Sequence, residues 1–112
     1  MAEKLALIMT TTQDKPDAER LTERLLRERL AACVSTIGPV QSSYWWENKI
    51  EQSKEYILLI KTRREFVERV IDTISEHHPY DVPEIVAFES VASNPDYLEW
   101  LLSETTKHQD LS

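Results

Sequence analysis

Residues 44–62, YWWENKIEQSKEYILLIKT, contain the clearest structural pattern in this sequence. Glu47–Lys49 reads as a hairpin turn, and Asn48 is suited to a positive φ angle. A second long strand follows from Ile50 to Lys61 and ends in the apolar run Ile57–Ile60. The stretch therefore predicts a long β-hairpin whose second strand runs into the interior of a sheet.

The strand that leads into this turn is predicted from Cys33 to Trp46, where the side chains alternate as they do in a pleated strand. Gly38-Pro39 is expected to interrupt or bulge it, since proline cannot donate a ladder hydrogen bond. Upstream, the continuous apolar run Leu5–Met9 predicts a first strand that is buried on both faces. Ile85–Phe88 predicts a fourth strand.

Three helices separate or follow these strands. The first is expected to begin with Asp14 as its cap and to end near Ala31–Ala32. Thr62 and Glu65 form a capping-box pattern ahead of a second helix. That helix should stop near His77, because Pro79 disfavours a helical conformation at His78. Asn94-Pro95 predicts the start of a short third helix.

The predicted order is β-α-β-β-α-β-α. Its first six elements define an α+β, ferredoxin-like βαββαβ fold, which places the first and third strands in the centre of the sheet. Those two strands carry the continuous apolar runs. We expect a single domain over residues 1–112, with a frayed tail at 107–112.

Composition excludes several classes of function. The 112 residues carry a formal net charge of −7 and include one Gly and one Cys. The acidic balance argues against general nucleic-acid binding, and a single glycine rules out Gly-rich phosphate loops. One cysteine permits no internal disulfide and suits a reducing compartment. No targeting or membrane-spanning segment is recognised, so we expect a cytoplasmic protein with no membrane or nucleic-acid partner.

Self-association is predicted from burial. Two helices cover one face of a four-stranded sheet, yet the runs Leu5–Met9 and Ile57–Ile60 are apolar on both faces. The third helix is too short to cover the second face alone. Tyr44, Trp45 and Trp46 add three adjacent aromatics, a composition typical of protein interfaces. We therefore expect a homo-oligomer.

His77-His78 is the first candidate for chemistry, because imidazole is a common ligand for transition metals and Cu²⁺ heads the divalent affinity order. Neighbouring helical side chains do not share a face, so further donors would be needed. The alternative is that a histidine near a helix C-terminus hydrogen-bonds the free carbonyls. Asp81 and Glu84 lie nearby and are either ligands, acid–base groups or solvated loop charges.

The remaining candidates are single residues. Cys33 follows an apolar segment and reads as a small buried hydrophobe. Lys61, at the end of the third strand, could meet an anion. No Ser-His-Asp or Cys-His arrangement can be assembled and HExxH is absent, so an enzyme is the least supported class.

Five motifs together resemble the CutA divalent-cation tolerance family and cover nearly the whole chain. They are LAACV (30–34), YWWENKI (44–50), LIKT (59–62), HPY with VPEI (78–85) and YLEW (97–100). The resemblance implies a tight cytoplasmic homotrimer of ferredoxin-like subunits, similar in architecture to PII signalling proteins. It also implies a link to copper and other divalent metals, with weak metal binding at His77 and His78.

The resemblance further implies a cleft between subunits, for which Trp46, Lys61, His77, Tyr80 and Glu84 are candidates. Some relatives proposed to bind copper carry a cysteine at the end of the first strand, where this chain has Thr10. A hydroxyl is a much poorer copper ligand than a thiolate.

Three functions stay open: a trimeric metal-binding or metal-responsive protein, a PII-like module that senses a small molecule, and a structural trimer that acts as a scaffold.

Overall fold

The computed structural model describes residues 3–106, which form one four-stranded sheet and three helices. The elements in chain order are β1 (Leu5–Thr12), α1 (Lys15–Arg27), β2 (Cys33–Trp46), β3 (Lys49–Arg63), a single 3-10 turn (Arg64–Phe66), α2 (Val67–His77), β4 (Ile85–Glu89) and α3 (Pro95–Glu104). The tail at 107–112, predicted to be frayed, lies outside the described residues.

The sheet order is β2-β3-β1-β4, with every neighbouring pair antiparallel. This confirms the ferredoxin-like prediction, including the central position of the first and third strands. The hairpin turn is also confirmed: Glu47 and Asn48 are its two residues, with φ of 50° and 66°. Positive φ at both positions matches the twist of the flanking strands. The pairing of β2 with β3 shifts between Ile37 and Val40, on either side of Gly38-Pro39.

The two faces of the sheet differ. On one face Ala6, Ile8, Leu58 and Ile60 are buried, and the last three pack with residues of α1 and α2 in the main core. The other face, which we call the open sheet face, is lined by the alternate residues. These are Leu7, Met9, Cys33, Ser35, Ile37, Ile57, Leu59, Lys61, Val86 and Phe88, as the strand register shows. All ten are at least partly exposed in the single chain, so the apolar runs are fully buried on one face only.

The expected end of α1 at Ala31–Ala32 is wrong. The helix ends at Arg27, and Arg29 takes a positive φ of 59° that turns the chain away. Leu30 and Ala31 are still buried, and their N–H groups both bond the Leu25 carbonyl. Leu30 and Ala31 are therefore apolar because the turn after α1 buries them in the core. Their spacing in the sequence looks like a continuation of the helix, although the helix has already ended.

The predicted capping box at Thr62 is also wrong. Thr62 is a buried residue of β3, and its hydroxyl donates to the Leu30 carbonyl at 2.6 Å. The 3-10 turn precedes α2, and neither has a side-chain cap. The end of α2 at His77 is confirmed: His78 is extended, with φ −83° and ψ 138°, as Pro79 requires.

The third helix begins as predicted, with the Asn94 side chain accepting from the N–H groups of Asp96 and Tyr97. It packs on β3 at one end of the open sheet face, where Arg63 donates to Thr105 Oγ1 at 2.9 Å and also to the Leu102 carbonyl. None of the helices within residues 3–106 is long and apolar enough to cross a bilayer.

Candidate metal-binding residues and the open sheet face

His77 is the last residue of α2 and is exposed. Its Nδ1 lies 2.9 Å from the Thr73 carbonyl oxygen, one helical turn earlier. A carbonyl only accepts hydrogen bonds, so Nδ1 carries a proton, and in the neutral ring Nε2 is the nitrogen with the lone pair. This nitrogen is therefore the accessible donor atom of the histidine pair.

A groove of about 410 Å³ between α1 and α2 includes His77 in its wall. The rest of the wall comes from Arg20, Leu21, Glu23, Arg24, Arg27 and Glu28 of α1 and its C-terminal cap. The three arginines form ion pairs with Asp17, Glu28 and Glu23 respectively. The positive charge beside His77 is thus locally balanced.

His78 is buried, and both of its ring nitrogens are occupied. Nε2 lies 2.7 Å from the carbonyl oxygen of Thr11, and Nδ1 accepts from the backbone N–H of Tyr80 at 3.0 Å. Because a carbonyl oxygen and an N–H are satisfied at once, Nε2 is the protonated nitrogen and Nδ1 the acceptor. A metal ion at His78 would have to displace one of these hydrogen bonds.

The carboxylates and the hydroxyl expected near the pair do not complete a ligand set. Asp81 and Glu84 are exposed in the loop and at its end. Thr10 is fully buried, and its hydroxyl has no hydrogen-bond partner among residues 3–106. Within that range, no group of three or more His, Cys, Asp or Glu side chains could hold a metal ion. Metal binding at His77 and His78 stays a prediction.

Tyr80 fastens the loop after α2 to the sheet. Its hydroxyl donates to Glu55 Oε2 of β3 at 3.1 Å, and its ring lies against His78 with centroids 4.7 Å apart. Burial, followed by the hydrogen bond and charge of Glu55, raises the pKa of Tyr80 to about 12. The phenol therefore stays protonated at neutral pH and keeps donating to the carboxylate.

Lys61 lies on the open sheet face, two residues before the end of β3. Its ammonium donates to Ser35 Oγ and approaches Cys33 Sγ at 3.7 Å. Cys33 is half-buried beside this ammonium, so the interpretation of Cys33 as a small buried hydrophobe is wrong. Trp46 is 62% exposed near the hairpin tip.

The candidate cleft residues fall into separate parts of the described chain. His77 and Tyr80 lie near the C-terminal end of α2, Lys61 lies on the open sheet face, and Trp46 lies near the hairpin tip. Glu55 and Ser35 were missed because their partners are 25 and 26 residues away. Cross-strand register would have suggested Ser35, which shares a face with Cys33.

The sheet order, the long hairpin and the helix pair define a ferredoxin-like α+β protein. Comparison with known families is more specific: residues 6–104 match the family model described as CutA1 divalent ion tolerance protein. The chain belongs to this family.

Individual relatives agree with this assignment. The chain is 42% identical over 103 residues to the divalent-cation tolerance protein CutA of Pyrococcus horikoshii, covering 92% of this chain and all of that protein. It is 36% identical to the chloroplastic CutA 1 protein of Oryza sativa, covering 88% of this chain and 56% of that longer protein. The crystal structure of the divalent ion tolerance protein CutA1 from Ehrlichia chaffeensis superposes with a TM-score of 0.91 at 29% identity, over 95% of this chain and 99% of that one.

Proposed function

We propose that this protein is a cytoplasmic homotrimer that takes part in divalent metal tolerance, copper foremost, by binding the metal weakly through His77. The observation that carries the proposal is the exposed His77 ring, whose Nδ1 bonds the Thr73 carbonyl and leaves Nε2 without a partner among the described residues. A metal-bound histidine usually donates its other ring N–H to a carbonyl or carboxylate oxygen, because this hydrogen bond fixes the tautomer and the ring orientation.

The expected affinity is low. One imidazole nitrogen is a single ligand, and the carboxylates of the groove are already paired with arginines, so they leave no excess negative charge to attract a cation. Thr10 supplies no soft donor, and the His78 nitrogens are engaged by Thr11 and Tyr80. We therefore assign His78 a structural role and His77 the metal contact.

A binding role rather than catalysis fits the names of relatives, which are called divalent-cation tolerance proteins. The single cysteine supports a reducing, cytoplasmic setting. The trimer is supported by the partly exposed apolar residues of the open sheet face, where further copies of the chain would be the partner.

Copper titration tests the metal contact. The chain has three histidines, so the titration is done in a His108→Ala background that leaves only the pair. We expect Cu²⁺ affinity by calorimetry to fall at least tenfold in His77→Ala. Glu76→Ala, an exposed neighbour on α2, is the matched control and should bind as the background does. Unchanged binding in His77→Ala, or loss only in His78→Ala, would refute the assignment.

A further inference from the structure

Lys61 is the one partly buried lysine among residues 3–106; Lys4, Lys15, Lys49 and Lys54 are all exposed. Its acceptors are the Ser35 hydroxyl and the Cys33 sulfur. No carboxylate of the described chain lies within ion-pair distance of it. Six other cationic side chains do have such partners, namely Lys4, Arg20, Arg24, Arg27, Arg29 and Arg64.

The hydrogen bonds of this ammonium are incomplete. A lysine ammonium has three N–H donors, and the two contacts use two of them. Withdrawing a positive charge from water without a counter-charge is unfavourable, and that cost falls when an anion is bound. The Ser35 hydroxyl accepts from Lys61, so its own proton is left to donate. Two donors thus lie side by side on the open sheet face.

Tyr97 provides a further donor, on the helix α3 that packs on β3 at one end of the open sheet face. Burial, and secondarily the neighbouring Cys33, raise the pKa of Tyr97, so its hydroxyl stays protonated at neutral pH. This hydroxyl makes no hydrogen bond to the described residues, and the ring packs against Trp100 with centroids 5.6 Å apart. Arg63, two residues beyond Lys61 on the same face of β3, adds a second positive charge at this end of the sheet.

We propose that Lys61, Ser35 and Tyr97 form a binding site for an anionic oxygen group, a carboxylate or a phosphate. Two sources share this chemistry: a free small anion, or a side-chain carboxylate of another copy of the chain. Only the second source rests on the proposed self-association. The site lies away from His77 and needs no metal, so a negative result for metal binding at His77 would leave this proposal unaffected.

The first arm of the test uses free anions. Melting temperature is measured against inorganic phosphate and against malonate, with sodium chloride holding ionic strength constant. If the anion is free, the melting temperature rises saturably with the probe, as expected for a ligand of the folded state. Lys61→Met should raise the apparent dissociation constant at least tenfold. Lys54→Met, an exposed lysine of the same strand, should leave it unchanged.

The second arm measures assembly without probe anions. If the anion belongs to another copy, sedimentation should show a subunit dissociation constant at least tenfold higher in Lys61→Met than in Lys54→Met. A wild type that sediments as a single chain would refute self-association and leave the first arm decisive. Lys61→Gln, which keeps a donor for Ser35 without the charge, replaces Lys61→Met if that variant fails to fold. The inference is overturned if the neutral Lys61 variant has the same anion dissociation constant and the same subunit dissociation constant as Lys54→Met.

Discussion

At the scale of the residue, two threonines of β1 form a natural comparison. Thr10 and Thr12 are both fully buried, and they lie on the same strand two positions apart. The Thr12 hydroxyl donates to the Asp14 carbonyl at 3.0 Å, whereas the Thr10 hydroxyl has no partner in the described chain. A buried polar group without a partner loses its hydration and gains nothing in return.

Replacing each threonine by valine should therefore have opposite effects. Thr10→Val keeps the shape and removes the unpartnered hydroxyl, so the free energy of unfolding should rise by about 1 kcal/mol. Thr12→Val removes a hydrogen bond and should lower it by about 1 kcal/mol. Urea unfolding of both variants measures the difference. Destabilisation of Thr10→Val to the extent of Thr12→Val would show that the Thr10 hydroxyl has an acceptor after all.

Tyr80 should make stability depend on alkaline pH. Its pKa is raised to about 12 in the folded chain, from an unfolded value of 10.0. The folded state therefore holds the phenolic proton more tightly, and this contribution is complete below pH 10. It is lost as pH rises from 10 towards 12.

Tyr80→Phe is the matched variant for this effect. Its stability should fall less steeply than that of the wild type between pH 10 and pH 12, and the latest phase of the absorbance titration at 295 nm should disappear. Parallel stability profiles for the two proteins would contradict the assignment to Tyr80.

At the scale of the element, strand and helix identities followed from local pattern, and errors arose where two patterns compete. Leu30 and Ala31 continue the helical spacing of α1, but a positive φ at Arg29 ends the helix first. Thr62 fits a capping box, yet it pairs with Ala6 of β1 as part of β3, and its hydroxyl bonds the Leu30 carbonyl instead of a helix terminus. Site contacts were harder to predict, because the hydrogen bond from Tyr80 to Glu55 joins a loop to a strand residue 25 positions earlier, which local spacing does not indicate.

The irregularity in β2 depends on Gly38. Its φ is 154°, and an added Cβ would lie 2.7 Å from Tyr56 Cδ2 and 3.0 Å from the Glu55 carbonyl oxygen. Gly38→Ala should lower the free energy of unfolding by about 1–3 kcal/mol, through backbone strain and this close approach. Ser43→Ala, at an exposed position of the same strand, is the control. Equal urea midpoints for the two variants would mean that β2 adapts without strain.

At the scale of the whole molecule, the single chain buries its sheet unevenly. Helices α1 and α2 cover one face of the sheet. On the open sheet face, Ile37 and Phe88 are 45% and 50% exposed. The hairpin tip adds the exposed aromatics Trp45 and Trp46. A surface of this kind gains free energy when further copies cover it, because apolar area is removed from water.

Phe88→Glu separates a lone subunit from an assembled one. In a lone chain Phe88 already contacts water, so the charge should change stability by only about 0.5 kcal/mol. In an oligomer that buries this face, a carboxylate there is costly because it would lose its water without gaining a partner. We expect the wild type to melt at higher temperature as its concentration rises, and Phe88→Glu to melt lower and independently of concentration.

Val91→Glu is the matched control for Phe88→Glu, since Val91 is 99% exposed and lies between β4 and α3. It introduces the same charge on the same segment of chain, so it should sediment and melt as the wild type does. Indistinguishable behaviour of the two glutamate variants would exclude the open sheet face from the interface. Loss of assembly in Phe88→Glu alone would place β4 at the subunit contact and would also bring Lys61, on the same face, within reach of a neighbouring copy.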